Sequence, residues 1–397
     1  MKTIKRIFRF VLGVLKWGFL LLVILALISA LNNLTLPAES EVTEYLTQDQ
    51  KAYISETLNL LQKLSKEVWP GWEDSQIPII VYNEKYAFLI GYDNPPAGWI
   101  KMPQEEHRGS EWEVLKTDDF FDTPYYRQLL ANPDVTPENF TAKVGESWVV
   151  TMQTKEYAAV AFYKGFRNEL PPVLKAIFPY QVFWNVLMGK ADNYISGMIH
   201  EAFHAFQGTE VPERLADAER AANLSADYPW NAAANIDGWT EESNLLIEAF
   251  NTESNEKAIP LLAQFLNKRK ERRERINMPD EIIQYEQKRE WLEGLAKYAE
   301  LTIGVVAFKS QNYKHVNEIE TVPGFKNYKT ALNYFNKQIV EVRRAANRPS
   351  ENRFYYSGML QAVLLDRFSP GWKKEAFKED VFLENLLEKS VNKFQNN

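Results

Sequence analysis

The feature that most constrains this chain is a long apolar run close to its N-terminus. The run W-G-F-L-L-L-V-I-L-A-L-I-S-A-L covers residues 17–31. Basic residues precede and interrupt it: Lys2, Lys5, Arg6, Arg9 and Lys16. Counted from Phe10, the run approaches the ~20 residues that a helix needs to span a bilayer. Because basic flanks stay on the cytoplasmic side, we expect everything after about residue 32 to lie outside the cytoplasm.

Two interpretations of this segment remain open. Residues 1–31 form either an uncleaved signal anchor, which is a single transmembrane helix in the cell membrane, or a cleaved secretory signal ending near Ala30. Either way, a short linker at 32–40 leads into an extracytoplasmic domain, and only the anchor has the lipid bilayer as a partner. The next most apolar stretch, 176–189, is too short to span and contains Pro179. A second span is therefore not expected.

Composition narrows the classes of function. Hydrophobic residues make up 45% and charged residues 25% of the chain, as in an ordinary globular protein. The net charge of −7 argues against nucleic acid as a partner. The absence of cysteine excludes disulfides and thiolate metal sites, so any metal must be held by His, Asp or Glu. The aromatic content of 13% suggests aromatic-rich packing and an amphipathic surface near a membrane.

Hydrophobic periodicity predicts an α+β fold. Residues 41–190 form an α+β part, with a helix within 41–69, strands at 78–82, 86–92 and 146–154, and a turn-rich stretch at 101–145. Residues 191–397 form a helical part, with a helix that ends near Gly208 and charged helices at about 240–252 and 254–277. The charge run K-R-K-E-R-R-E-R at 268–275 is interpreted as a solvated helix face. We expect a cleft between the two parts.

Residues 199–208, I-H-E-A-F-H-A-F-Q-G, carry two of the four histidines. Four residues is just over one helical turn, so His200 and His204 project from one face ~6 Å apart and reach one ion at ~2.1 Å. Glu201 lies about 100° round the helix, where it contacts a water at the metal without binding the metal. Zinc lowers the pKa of such a water towards ~7, and the carboxylate takes its proton. The alternative is a core helix with two hydrogen-bonded histidines.

A two-histidine site needs a third ligand. A third histidine six residues on is excluded, because Glu210 occupies that position. The stretch E-W-L-E-G-L-A-K-Y-A-E at 290–300 offers Glu293 in an apolar setting, where an unpaired carboxylate is unfavourable and a metal would compensate it. Gly294 beside it would let a partner helix approach closely. Other acidic candidates lie on a polar helix and are expected to be solvated: Glu241, Glu242 and Glu248.

Together, H-E-A-F-H and the later W-L-E-G-L-A-K-Y resemble the gluzincin metallopeptidases of the peptidase-MA-like branch. The resemblance implies a mostly helical zincin-like domain with a small sheet upstream of the motif helix. It implies that His200, His204 and Glu293 bind Zn²⁺ and that Glu201 is the general base. It also implies that the strand at 146–154 binds the substrate backbone by edge pairing.

The chain departs from the gluzincin pattern at three places. The spacing from His204 to Glu293 makes the helices at about 240–277 an insertion. Lys297 stands where some gluzincins place an aspartate that orients a histidine, and Glu300 is the nearest replacement. No transition-state donor is fixed by a motif, and Tyr355 or Tyr356, with Tyr356 preferred, is the candidate.

The leading hypothesis is a membrane-anchored, zinc-dependent hydrolase, a peptidase that acts on a polypeptide substrate of unknown identity. One alternative is a catalytically inactive exported protein for binding or assembly on a zincin scaffold. Another is a zinc hydrolase that cleaves a non-peptide bond, since the same site serves any polarised carbonyl.

Overall fold

The computed structural model describes residues 2–130 and 141–396, which form a mixed α+β molecule dominated by helices. The helices in the described part are α1 (Lys2–Asn33), α2 (Gln48–Val68), α3 (Lys155–Glu169), α4 (Pro172–Ile177), α5 (Tyr180–Leu187), α6 (Ala191–Glu210), α7 (Pro212–Arg220), α8 (Ala233–Asn251), α9 (Asn255–Arg275), α10 (Asp280–Arg289), α11 (Leu295–Lys309), α12 (Ala331–Ala346), α13 (Asn352–Phe368), α14 (Trp372–Ala376) and α15 (Leu383–Gln395). A five-residue π turn, Glu290–Gly294, joins α10 to α11.

The strands form one curled sheet with the order β4-β3-β7-β8-β1-β2-β6-β5. They are β1 (Ile79–Tyr82), β2 (Tyr86–Ile90), β3 (Trp99–Lys101), β4 (Glu106–Arg108), β5 (Glu113–Val114), β6 (Tyr126–Leu129), β7 (Ala142–Val144) and β8 (Ser147–Gln153). Strand β1 is parallel to β8, and the other neighbours are antiparallel.

The three strands predicted from periodicity are confirmed as β1, β2 and β8. Between β1 and β2, the side-chain oxygen of Asn83 accepts hydrogen bonds from the backbone of Lys85 and Tyr86, which closes the turn. The stretch 101–145 also contains short strands that its polar composition did not indicate, and its residues 131–140 lie outside the described part.

That β8 binds a substrate backbone by edge pairing stays a prediction, although β8 lies inside the sheet. Strand β7 pairs with Ser147–Val149 on one side, and β1 pairs with Val150–Gln153 on the other. The described edges of the sheet are β4 and β5. Within the described residues, each half of β8 thus pairs with one neighbouring strand, so the two halves of this interior strand have different partners.

Helix α6 lies directly on β8, and a glycine allows the close contact. A Cβ at Gly208 would come within 2.4 Å of the ring of Trp148 on β8. The helix ends near Gly208, as predicted, since α6 continues for two more residues to Glu210. The missing side chain of Gly208 makes room for the indole ring.

One hydrophobic core serves both predicted parts of the chain. The largest cluster of buried apolar residues takes members from α2, the sheet, α6, α11, α13 and α15. The predicted division at residues 190 and 191 is therefore not a division between two cores. It is the point where the chain enters α6, which packs between β8 and the helices α2 and α11.

The charge run at 268–275 is only in part the solvated face that the sequence indicates, with exposed side chains at five positions: Lys268, Lys270, Glu271, Glu274 and Arg275. It contributes three arginines to a buried group that we call the arginine–glutamate cluster: Arg269, Arg272, Arg273, Glu242, Glu286, Glu290 and Glu384. Buried charges are tolerated when they are paired and hydrogen-bonded, as these are. Glu242, expected to be solvated, is 1% exposed here, whereas Glu241 and Glu248 are exposed as predicted.

The described residues contain one helix long and apolar enough to cross a membrane, Phe10–Asn33 within α1. Its apolar side chains are largely exposed, including Leu22 at 66%. The predicted linker at 32–40 is partly structured, since α1 extends to Asn33 and Ser40 donates backbone and hydroxyl hydrogen bonds to Glu84.

Candidate metal centre

Helix α6 and the π turn bring three ligand-type side chains together. His200 Nε2 lies 3.2 Å from His204 Nε2, and Glu293 Oε2 lies 3.3 Å from the first and 3.4 Å from the second. These three residues form the group in the described chain that is able to hold a metal ion. The structure therefore brings these three residues together as the sequence predicts, although Glu293 follows His204 by 89 positions in the chain.

The opposite sides of both imidazoles are held by acceptors. His200 Nδ1 lies 2.8 Å from Glu300 Oε2, and His204 Nδ1 lies 2.8 Å from Gln207 Oε1. The amide orientation of Gln207 is fixed because its Nε2 donates to the carbonyl of Trp291. Each Nδ1 therefore carries a proton, so that in the neutral form of each ring the lone pair lies on Nε2.

The donor set fits a tetrahedral zinc ion. When both rings are neutral, the two Nε2 lone pairs and the carboxylate oxygen are all acceptors, so their close approach needs a metal ion or a proton between them. A tetrahedral ion with bonds of ~2.0–2.1 Å separates its ligand atoms by about 3.3–3.4 Å. The observed separations of 3.2–3.4 Å match this spacing. Imidazole and carboxylate ligands are also those of catalytic zinc sites.

The electrostatics of the site also favour a cation. Burial by itself would lower the pKa of His200, but the carboxylates of Glu293 and Glu300 outweigh it and raise that pKa to about 10. The pKa of His204 is raised against the same burial, through Glu293. For Glu293, burial opposes ionisation, yet Arg289 and the two histidines hold its pKa well below the usual range. The metal-free site therefore holds protons where a metal ion would bind.

Zinc binding is expected to release at least one proton at neutral pH. His200 is protonated in the metal-free site because its raised pKa lies above that pH, and it must be neutral to bind the metal. Titration calorimetry in two buffers of different ionisation enthalpy measures the number of protons released. The variant Glu300→Gln should release fewer, since the carboxylate beside Nδ1 is gone. An apparent enthalpy independent of the buffer would contradict this expectation.

Several contacts hold Glu293 in place. Arg289 Nη2 donates to Glu293 Oε1 at 2.7 Å, which turns Oε2 towards the histidines. At the start of the same π turn, both oxygens of Glu290 bind Arg269 of the arginine–glutamate cluster, at 2.7 and 2.8 Å. Bidentate pairs of this kind fix geometry as well as charge. The buried cluster thus supports the turn that carries the third ligand, and π turns are frequent at functional sites.

Gly294 allows a close approach, as predicted, but to α13 and not to α6. A Cβ at Gly294 would lie 2.5 Å from Gly358 Cα. This contact brings α13, with Tyr355 and Tyr356, against the metal centre.

Glu201 faces the cleft beside the metal ligands. It lines a cleft of about 360 Å³ together with Met152, Gly197 and Asn352. No hydrogen bond or ion pair reaches its carboxylate from the residues that the structure describes. Burial raises the pKa of Glu201, which makes the carboxylate a stronger base.

The two candidate tyrosines have different surroundings. The hydroxyl of Tyr356, the residue preferred from the sequence, donates to Gln338 Oε1 at 2.9 Å. The ring of Tyr355 instead stacks on His200, with centroids 6.0 Å apart and planes 7° from parallel. Burial and the Glu293 carboxylate raise the pKa of Tyr355, so its hydroxyl stays protonated. Tyr355 is therefore the better-placed donor.

The sequence predicts Glu300 as the residue that orients a histidine. Its contact with His200 confirms this prediction. Lys297 donates to the other oxygen of Glu300 at 2.8 Å. The sequence analysis did not identify Gln207, which accepts the Nδ1 hydrogen bond of His204 as Glu300 does for His200. Its spacing of three residues on the same helix was the available signal.

Replacing Gln207 by methionine is expected to weaken zinc binding by about 10–100-fold, because the Nδ1 proton of His204 loses its acceptor. Competition with a chromophoric chelator measures the change. Gln361→Met is a matched control, since Gln361 is equally buried but contacts Ser357 instead of a ligand. Equal affinities for the two variants would show that Gln207 does not orient His204.

The chain was compared with family models, with curated proteins and with solved structures. No family model, curated protein or solved structure matches this chain.

Proposed function

We propose that this chain is a membrane-anchored, zinc-dependent hydrolase, and that it is a peptidase of the gluzincin type. The observation that carries the proposal is the triangle of His200 Nε2, His204 Nε2 and Glu293 Oε2, with edges of 3.2–3.4 Å. The alternative, a core helix with two hydrogen-bonded histidines, needs protons in place of the metal ion, because the two imidazoles and the carboxylate face one point. The free carboxylate of Glu201 beside that point supports a catalytic role in addition to a structural one.

The proposed mechanism divides the work among these residues. A zinc ion at the three ligands supplies Lewis-acid chemistry, which makes water acidic and polarises a carbonyl. Glu201 takes a proton from the attacking water and delivers it to the leaving amine. Tyr355, protonated because its pKa is raised, donates a hydrogen bond to the carbonyl oxygen as negative charge develops there. Glu300 and Gln207 keep the imidazoles in one tautomer throughout.

The cleft beside the candidate ligands lies between the sheet and α13. Its walls come from Met152 on β8, Gly197 on α6 and Asn352 with the tyrosines on α13. The proposed substrate is a polypeptide, bound between the sheet and α13. We propose that α1 spans the cell membrane and that the cleft lies on the extracytoplasmic side, so the substrate would be met there.

The test uses the full chain, purified in detergent and loaded with zinc. We expect about one equivalent of bound zinc and cleavage of a mixed peptide library, detected by mass spectrometry and abolished by a chelator. Bound zinc without any cleavage would instead favour an inactive binding protein. Cleavage that survives metal removal would overturn the proposal.

A further inference from the structure

Helices α4 and α5 present a group of exposed apolar side chains that the proposed metal chemistry does not use. We call residues 171–189 the α4–α5 hairpin. Six of its large apolar side chains are between 38% and 73% exposed: Val173, Leu174, Val182, Phe183, Val186 and Leu187. This is the apolar stretch that is too short to span a bilayer. Several exposed apolar side chains within one short segment indicate a contact with a partner or a membrane.

The hairpin is attached to the end of the apolar helix α1. The side-chain amide of Asn33, the last residue of α1, donates to the carbonyls of Ala176 and Phe178, each at 2.9 Å. Arg167 of α3 donates to the Asn33 carbonyl at 3.3 Å. The exposed apolar side chains therefore lie beside the point where a membrane-spanning α1 would leave the hydrocarbon region.

A rigid aromatic cluster supports the hairpin from behind. Its buried members are Tyr163, Tyr180 and Trp184, and further aromatic rings pack around them: Phe162, Phe166 and Phe178. Leu36, within the predicted linker, packs against the same cluster. The exposed side chains are thus held outward by the fold and do not belong to a loose loop.

The charge around the hairpin suits a lipid surface. Residues 164–190 carry four basic residues and one acidic residue, a net charge of +3 in a chain whose total is −7. The basic residues flank the apolar side chains: Lys164, Arg167, Lys175 and Lys190. Apolar residues with basic flanks are the pattern of segments that lie in the membrane interface.

We propose that the α4–α5 hairpin is a second membrane contact, which inserts its apolar side chains into the interface of the bilayer that α1 spans. Such segments enter about 5–10 Å into the boundary between headgroups and acyl chains. Two contacts fix the orientation of a domain where a single helix leaves it free to turn. Since α6 begins at Ala191, directly after the hairpin, the metal-binding helix is oriented by the same contact. The inference rests on the proposed membrane position of α1 and not on the metal chemistry.

The test uses the full chain in phosphatidylcholine vesicles containing some phosphatidylglycerol. The chain has no cysteine, so single cysteines can be labelled with an environment-sensitive fluorophore: Val173→Cys, Val182→Cys and Val186→Cys. We expect blue-shifted emission that is quenched by lipids carrying a quencher near the headgroups. Val340→Cys is the matched control, because Val340 is an exposed valine of α12 and a fluorophore there should show the emission of a probe in water. Leu22→Cys in α1 should report the bilayer.

Three outcomes would overturn the proposal. If the hairpin probes behave like the Val340 probe, the apolar surface of the hairpin is exposed to water and not to lipid. Blue-shifted but unquenched hairpin probes would show a protein partner. A Leu22 probe that reports water would show that α1 does not span the bilayer, and the proposed membrane contact of the hairpin would then have no basis. The same pattern is expected in the Glu293→Ala variant, so a failure of the metal proposal leaves this result unchanged.

Discussion

Replacing Glu201 by glutamine is expected to abolish hydrolysis while zinc stays bound. The amide keeps the shape of the side chain but cannot accept a proton, and general-base catalysis contributes about 10²–10⁴-fold to such reactions. The ligands themselves are untouched, because Glu201 is not one of the three convergent groups. The loss should therefore appear in turnover and not in metal content.

Peptide-library cleavage and metal analysis of the same preparation measure both quantities. Glu248→Gln is the control, because Glu248 is an exposed glutamate of α8 for which the same change should be silent. If Glu201→Gln cleaved as fast as the parent chain, the general base would have to be another group. If it lost zinc, Glu201 would be a ligand, and the assignment of roles would be wrong.

The parts of the site that follow from local spacing could be predicted from the sequence. His200, Glu201 and His204 lie on one helix, where spacing fixes direction. Glu293 was detectable because a carboxylate among apolar residues needs a partner. The choice between Tyr355 and Tyr356 depends on which side of α13 faces α6, and this is set by the contact between Gly294 and Gly358. Such a tertiary contact leaves no periodic signal.

The errors share one physical origin. The run at 268–275 has the alternating charge of a solvated helix, but Arg269 and Arg272 are buried because glutamates from three other helices and the π turn meet them. Likewise, the pattern of β8 predicts a strand but not its place inside the sheet, which follows from pairing with β7 along Ser147–Val149 and with β1 along Val150–Gln153. In both cases, partners distant in sequence decide the environment of a correctly predicted element.

Replacing Glu293 by alanine is expected to remove zinc binding at chelator-buffered concentrations. The change deletes one of three protein ligands, and it removes the carboxylate that lies between Arg289 and the two imidazoles, although Arg289 keeps its pairs with Glu351 and Glu219. Loss of an outer-shell partner weakens metal affinity by about 10–100-fold, so loss of a ligand should exceed about 100-fold. Competition titration with a chromophoric chelator measures the affinity, and elemental analysis measures the metal content.

Thermal unfolding with and without zinc separates loss of metal from loss of fold. A ligand at 100 times its Kd stabilises the folded state by about 2.7 kcal/mol, so zinc should raise the Tm of the parent chain and leave that of Glu293→Ala unchanged. Glu248→Ala, an exposed glutamate changed in the same way, should keep the zinc-dependent rise. A Glu293→Ala variant that folds and binds zinc like the parent chain would place the third ligand elsewhere. The triangle of acceptors would then have to be held together by protons alone, and the hydrolase proposal would lose its main support.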